Sequence, residues 1–130
     1  MKDPILKGTA VVSVVDDDRD VRESMEALIW SMGFDVRLFE SAEALLQEGV
    51  EHECDCIVSD YQMAGMNGIS LARKVAESGL DVPFILMSAY ATPELEQQAQ
   101  AVGVRRFFRK PFDADEFASV LTTLLEARSP

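Results

Sequence analysis

Positive charge is scarce in this sequence. Lysine and arginine together number 12 against 23 aspartates and glutamates, so the formal net charge is −11. That charge has the wrong sign for holding the phosphate backbone of a nucleic acid or an anionic membrane surface. We therefore expect no direct nucleic-acid binding and no membrane association by this chain.

Long apolar runs are also missing. Charged residues interrupt the hydrophobic stretches before they reach the length of a membrane-spanning helix, and the N-terminal MKDPILKGTA lacks the apolar stretch of a secretory signal. With 130 residues, 48% of them hydrophobic, the chain has the usual size of one domain with one core. We expect a single cytoplasmic domain over residues 1–130, with its core at about 9–127.

Cysteine and histidine are too few for a zinc site. Cys54 and Cys56 are the only cysteines and His52 is the only histidine, whereas structural zinc sites use four such ligands. With one residue between them, the two thiols are predicted to lie on the same face of a strand. We interpret them as reduced side chains packed in a core strand.

What the sequence does contain is a regular alternation of short apolar runs and helix-length stretches. The runs are AVVSVV (10–15), VRLF (36–39), CIVS (56–59), FILM (84–87) and RRFF (105–108). Such an alternation is typical of βα units in a parallel sheet. With right-handed crossovers it predicts an α/β fold of the flavodoxin-like type, a doubly wound (βα)5 domain with a five-stranded parallel sheet in the order 2-1-3-4-5.

Helix boundaries are marked between these runs by capping residues, apolar spacing and glycines. The predicted helices are, in chain order, Val21 to Met32 closed by Gly33, 42–48 capped by Ser41, Ile69 to Ser78 closed by Gly79, a helix from the cap Thr92 through Pro93 to Gly103, and a last helix with Asp113 and Glu116 at its start.

Polar side chains follow the carboxyl ends of four predicted strands. They are Asp16, Asp17 and Asp18 after the first strand, Asp60 after the third, Ser88 after the fourth and Lys110 after the fifth. In doubly wound sheets ligands bind beyond these strand ends. We therefore expect the polar groups to converge on one site.

This set of groups fits metal-assisted phosphoryl transfer. Neighbouring carboxylates repel one another, and Mg²⁺ prefers oxygen ligands while keeping several waters. A carboxylate is a competent acceptor for a phosphoryl group, whose transfer requires mainly alignment and nearby cations. We predict Asp60 as the acceptor beside the cation, Lys110 as the second positive charge, and Ser88 as a hydroxyl that senses the phosphoryl group.

The same residues lie in four motifs that resemble those of two-component response-regulator receiver domains. The motifs are VVDDD (14–18), SDYQM (59–63) with MNG (66–68), MSA (87–89) and RKPF (109–112), and together they cover nearly the whole chain in order. The resemblance implies a signalling domain that receives a phosphoryl group from a phosphohistidine of a sensor histidine kinase or phosphotransfer protein. It implies no enzyme activity beyond phosphorylation and dephosphorylation of the domain itself.

The resemblance also implies a set of metal ligands. These are the side chains of Asp16, Asp17 and Asp60 and the backbone carbonyl of Gln62, around Mg²⁺ or Mn²⁺. Asp17 would bind the ion directly, and Asp16 partly through water. Asp18 would instead cap the first helix.

Further roles follow from the resemblance near the last two strands. Ser88 and Lys110 match the phosphoryl-binding positions, and Lys110 to Pro111 matches a peptide that is often cis. Phe107 matches an aromatic switch residue that remodels the face of helix 4, strand 5 and helix 5, with ordinary packing as the alternative. Gln62 and Tyr90 match positions that flank the phosphoryl group, where Tyr90 would either shield it or turn outward.

The sequence departs from the family pattern at Ala64, four residues past Asp60, where receivers often carry proline. The loop 63–68 is therefore expected to be looser. Stretches 33–39 and 40–46 resemble receivers joined to helix-turn-helix output domains. A homodimer formed on phosphorylation is a separate expectation.

Three alternatives compete with the receiver interpretation. A haloacid-dehalogenase-like Mg²⁺ phosphatase would use Asp16 and Asp18 as paired acids, but Asp20 stands where that pattern has Thr or Val. A flavin- or nucleotide-binding domain would need Gly, Ser or Thr after the first strand, where this chain has acids. A receiver fold used only for protein contacts would not need the full set of acids, hydroxyl and lysine.

Overall fold

Five strands and five helices alternate along the chain in a computed structural model, which describes residues 10–48 and 54–128. The strands are β1 Val11–Val15, β2 Asp35–Phe39, β3 Cys56–Asp60, β4 Phe84–Ser88 and β5 Arg106–Arg109. The helices are α1 Arg19–Ser31, α2 Ala42–Glu48, α3 Gly68–Glu77, α4 Pro93–Ala101 and α5 Ala114–Arg128.

All five strands pair in parallel in the order β2-β1-β3-β4-β5, so the predicted fold class and strand order are confirmed. β1 lies beside β3 with Val15 opposite Ser59, and β3 lies beside β4 with Asp60 opposite Met87. The carboxyl ends of these three central strands are therefore neighbours at one edge of the sheet.

Helices cover both faces of the sheet, because successive strand residues point to opposite sides. One hydrophobic cluster, the α2–α4 cluster, includes Leu45, Leu71, Leu86 and Leu95. The other, the α1/α5 cluster, includes Ile29, Val58, Phe117 and Leu121. These members are at most 7% exposed, so the sheet is a buried middle layer and its strand ends are held rigidly.

The predicted capping residues perform that role in the structure. Backbone N–H groups of the first helical turns donate to the side chains of Asp18, Ser41, Thr92 and Asp113. Gly33, Gly79 and Gly103 follow the ends of α1, α3 and α4 with positive φ angles, a conformation that favours glycine. The sequence did not predict Asn67 as the cap of α3, where its Oδ1 accepts from Ser70 N at 2.8 Å.

The two cysteines contradict the prediction of a shared strand face. β3 begins only at Cys56, and Cys54 precedes it outside the regular strand. Cys56 belongs to the α1/α5 cluster, whereas Cys54 packs against the α2–α4 cluster on the other side of the sheet. The alternation rule failed because it holds only within an extended strand.

The last three strands end one residue later than the apolar runs predicted. Asp60 and Ser88 are the last residues of β3 and β4 rather than the residues that follow them, and β5 begins at Arg106. Among the described residues no helix is long and apolar enough to cross a membrane. His52 and the first nine residues lie outside the described part of the chain.

Candidate metal and phosphoryl site

Three carboxylates meet at the carboxyl ends of the central strands. Asp16 and Asp17 follow β1, Asp60 ends β3, and one carboxylate oxygen from each lies within 4.8 Å of the others. Asp16 is 1% exposed and Asp60 8% exposed, whereas Asp17 is exposed. The cluster therefore has two members fixed in the protein and one open to solvent.

Backbone contacts hold Asp16 in place. Its N–H donates to Phe39 O at 3.1 Å, and its Oδ1 accepts from Asp18 N at 2.9 Å. Arg22, in the first turns of α1, donates from Nη1 to the Asp16 carbonyl oxygen at 2.7 Å. These bonds hold the backbone of the loop after β1 and orient the Asp16 carboxylate.

Lys110 joins the two buried acids from the end of β5. Its Nζ lies 2.9 Å from Asp60 Oδ1 and 3.3 Å from Asp16 Oδ2. Burial disfavours the charged form of this lysine, but the hydrogen bond that it donates to Asp60 and the attraction of both carboxylates outweigh burial and raise its pKa. Lys110 thus remains charged, and the predicted cis peptide between Lys110 and Pro111 is present.

The pKa of Asp60 is also raised. Burial is the largest cause, Lys110 opposes it by hydrogen bonding and by charge, and the negative charges of Asp16 and Asp17 add to the rise. The ionised carboxylate is therefore less favourable here than in water. Additional positive charge beside Asp60 would relieve that penalty.

The donor set fits a hard divalent cation. Lys110 balances one of the three carboxylates, and a divalent ion would balance the other two. Carboxylate oxygens are the ligands that Mg²⁺ prefers, and the solvent-facing Asp17 leaves room for the waters that the ion keeps. An open cavity of about 480 Å³ adjoins the cluster and is lined by Asp17, Tyr61, Gln62, Met63, Gly65 and Asn67.

Ser88 ends β4 next to this cluster and is 1% exposed. Its Oγ accepts a hydrogen bond from Tyr90 N at 2.9 Å, and its carbonyl oxygen accepts from Lys110 N at 2.8 Å. The residue therefore ties the end of β4 to the start of the loop after β5.

The remaining predicted site residues lie around these groups. The side chain of Gln62 is exposed beside the cavity. Tyr90 is 61% exposed, so its ring is turned outward. Phe107 in β5 is half-buried and packs against the α2–α4 cluster, whereas its neighbour Phe108 packs in the α1/α5 cluster. Phe107 thus packs against the α2–α4 cluster, whereas Lys110 contacts Asp16 and Asp60.

The loop between β3 and α3 carries features that sequence reasoning missed. A Cβ at Gly68 would overlap the Asp60 carbonyl oxygen and the Leu86 side chain, so only glycine fits there. Glu43 of α2 accepts a hydrogen bond from Met66 N at 3.0 Å across 23 residues. The MNG motif marked the loop, but no local pattern connects Glu43 or Arg22 to the site.

Fold and site together define the class of protein. A model of the response regulator receiver domain matches residues 12–122, and the chain belongs to that family. It is a receiver domain of the kind found in two-component response regulators. The haloacid-dehalogenase alternative is not supported, and Asp18 caps α1 instead of joining the acid cluster.

Named relatives are similar over most of this chain. Response regulator protein TmoT of Ectopseudomonas mendocina is 33% identical over 117 residues, 90% of this chain and 53% of TmoT. Transcriptional regulatory protein FixJ of Bradyrhizobium diazoefficiens is 30% identical over 119 residues, 92% of this chain and 58% of FixJ. The crystal structure of FixJ-N matches with a TM-score of 0.84 at 25% identity, covering 100% of this chain and 99% of FixJ-N. The chain therefore spans little more than half the length of these curated relatives.

Proposed function

We propose that Asp60 accepts a phosphoryl group from a phosphohistidine of a sensor histidine kinase or phosphotransfer protein, in a Mg²⁺-dependent reaction that the domain itself promotes. The observation that supports this most is one buried carboxylate that lies 2.9 Å from a lysine ammonium and within 4.8 Å of the carboxylate oxygens of two further acids. A bond forms between an Asp60 oxygen and phosphorus as the phosphorus–nitrogen bond breaks, and the histidine nitrogen then takes up a proton.

The residues around Asp60 have separate roles in this proposal. Asp16, Asp17, Asp60 and the Gln62 carbonyl would hold Mg²⁺, and Mn²⁺ has the same ligand preference. When bound there, the ion would supply positive charge that offsets the negative charge of the phosphoryl oxygens. Lys110 supplies the second cation from its position 2.9 Å from Asp60, and Asp16 keeps that ammonium oriented through its 3.3 Å contact.

Ser88 and Phe107 form the readout. Ser88 Oγ accepts a hydrogen bond from Tyr90 N. A phosphoryl group on Asp60 would offer charged oxygen acceptors to the Ser88 O–H, so the hydroxyl is drawn toward them and away from Tyr90 N. The half-buried Phe107 then moves into the space vacated, and the face made by α4, β5 and α5 changes shape. If Phe107 has only a packing role, Phe107→Leu will leave partner binding by the phosphorylated domain unchanged.

The lifetime of the phosphoryl group depends on the residues that flank it. The Tyr90 ring is turned outward in this structure, where it belongs to the proposed readout face. Shielding of the acyl phosphate requires the ring to turn inward after phosphorylation. Phosphate release that is equally fast in Tyr90→Ala and wild type would exclude shielding. The remaining role of Tyr90 would then be as part of the readout face.

The output of the whole protein is proposed from its relatives. FixJ is a transcriptional regulatory protein by name, and the chain matches little more than half of it. We infer that this receiver domain is part of a transcription regulator and controls its helix-turn-helix output domain. We also infer that phosphorylation promotes homodimerisation. The cytoplasmic location and the single-domain extent over residues 1–130 stay predictions.

Acetyl phosphate tests the phosphoacceptor directly. With Mg²⁺, the wild-type chain should gain one phosphoryl group by intact-mass spectrometry, and Asp60→Asn should gain none. Asp115→Asn is the matched control, because Asp115 is an exposed acid in α5 and should not alter labelling. Labelling that persists in Asp60→Asn would overturn the proposal.

A further inference from the structure

We propose that Glu43 is a positioning residue for the cation site, acting through the loop between β3 and α3. The inference depends on the proposed cation site, because it concerns the loop that supplies the Gln62 carbonyl. Glu43 lies in the first turn of α2 and is exposed. It is the only contribution of α2 to this loop among the hydrogen bonds of the described residues.

Two carboxylates from different parts of the chain hold the loop. Ala64 N donates to Asp17 Oδ2 at 3.1 Å, and Met66 N donates to Glu43 Oε2 at 3.0 Å. Between these two N–H groups stands Gly65, with a φ angle of +82°. The loop is thus held by hydrogen bonds on both sides of its left-handed residue.

Gly65 is what allows the Glu43 carboxylate to lie so close to the loop. A Cβ at position 65 would lie 2.8 Å from Glu43 Oε2 and 3.3 Å from Oε1. Any other residue would push the carboxylate away or force the backbone out of its left-handed conformation. The left-handed backbone at Gly65, which has no Cβ, therefore makes room for the contact between Glu43 and the loop.

The hydrogen bond from Ala64 couples this loop to a proposed metal ligand. Ala64 stands where the receiver pattern often has proline, which has no N–H to donate. In this chain the N–H is present and binds one oxygen of Asp17, leaving the other oxygen available to the cation. A shift of the loop would therefore move both Asp17 and the Gln62 carbonyl.

Glu43 limits that shift by holding the far end of the same loop at Met66. Outer contacts that orient metal ligands typically change metal affinity about 10- to 100-fold when they are removed. Glu43 acts on the ligands through the backbone rather than by contact, so we expect the lower end of that range. Its effect should depend on hydrogen-bond acceptance and not on its negative charge.

Three variants of the 130-residue chain separate these causes. Glu43→Ala removes acceptor and charge, Glu43→Gln removes the charge but keeps an acceptor oxygen, and Glu48→Ala removes an equal charge from the same helix. Mg²⁺ affinity is measured by following backbone amide resonances in a MgCl₂ titration. We expect about 10-fold weaker binding in Glu43→Ala, and binding within about 2-fold of wild type in Glu43→Gln and Glu48→Ala.

A second measurement needs no metal. In a Mg²⁺-free buffer, the amide protons of Ala64 and Met66 should exchange faster in Glu43→Ala than in wild type, and Glu43→Gln should restore their protection. At saturating Mg²⁺, Glu43→Ala should recover the wild-type rate of labelling by acetyl phosphate, because only the position of the loop is impaired.

Two results would overturn the inference. One is wild-type Mg²⁺ affinity in Glu43→Ala, and the other is an equal loss in Glu43→Gln, which would make the effect one of charge. Failure of the wild-type chain to bind Mg²⁺ would refute the proposed cation site instead, and the metal-free exchange of Ala64 and Met66 would still decide whether Glu43 holds the loop.

Discussion

Replacing Lys110 by methionine tests how much the lysine ammonium stabilises the carboxylate cluster when no divalent ion is bound. The variant removes the ammonium that lies 2.9 Å from Asp60 and 3.3 Å from Asp16, but keeps most of the side-chain volume. The carboxylates of Asp16 and Asp60 then lose the ammonium group that contacts both of them. In EDTA at neutral pH, the fold should become less stable.

The size of the loss follows from the burial of the pair. Removing one partner of a fully buried ion pair costs about 3–5 kcal/mol, whereas an exposed pair contributes about 0–1 kcal/mol. The Lys110 side chain is 25% exposed, against 11% for Asp60 and 1% for Asp16. An intermediate loss of about 2 kcal/mol is therefore expected.

The pH dependence of this stability loss is a second, independent test of the charge arrangement. Lys110 lowers the pKa of Asp60 by hydrogen bonding and by charge, so the pKa, already raised by burial, rises further in Lys110→Met. A carboxyl group with a raised folded-state pKa destabilises the fold above that pKa, and the penalty disappears once the group is protonated. The deficit of the variant should therefore shrink as the pH falls through the pKa of Asp60.

Urea unfolding in EDTA, followed by circular dichroism at several pH values, measures both effects. Lys74→Met is the control, because Lys74 is an exposed lysine in α3 and should change stability by about 0.5 kcal/mol or less. The charge arrangement described for the site would be refuted if Lys110→Met were as stable as wild type at neutral pH. It would also be refuted if the difference in their free energies of unfolding grew on acidification.

Three further predictions concern the surroundings of the cluster. Gly68→Ala should destabilise the fold by about 1–3 kcal/mol in urea unfolding, because the new Cβ overlaps Asp60 and Leu86. A gain in stability would show that the end of β3 moves to accommodate the methyl group. Asp18→Ala should cost about 1 kcal/mol through loss of the α1 cap and leave the Mg²⁺ titration midpoint unchanged, and a shifted midpoint would place Asp18 among the ligands. Mg²⁺ at about 100 times its dissociation constant should stabilise wild type by about 2.7 kcal/mol and Asp17→Asn by clearly less in thermal unfolding, and equal stabilisation would exclude Asp17 as a ligand.

Sequence patterns predicted the sheet order, the capping residues and the convergence of acids, lysine and hydroxyl at one sheet edge. These features depend on local signals, namely apolar runs, capping residues and the residue at each strand end. The topology of a doubly wound sheet then brings separate strand ends together. Asp16, Asp60 and Lys110 could be placed beside one another for this reason.

Other features depend on contacts between distant segments and could not be predicted. Cys54 lies on the opposite side of the sheet from Cys56 because it precedes β3, outside the extended strand in which side chains alternate between the two faces. The hydrogen bonds of Ala64 and Met66 span 47 and 23 residues, respectively. Such contacts are decided by the packing of α2 and the β1–α1 loop against the β3–α3 loop, which leaves no periodic signal in the sequence.

Mapping the phosphorylated residue tests the central claim most directly. After labelling with acetyl phosphate and Mg²⁺, the acyl phosphate is trapped by borohydride reduction and the modified residue is located by peptide mass spectrometry. We expect the modification at Asp60 and at no other acid. Modification at Asp16 or Asp17 with an unmodified Asp60 would contradict the account.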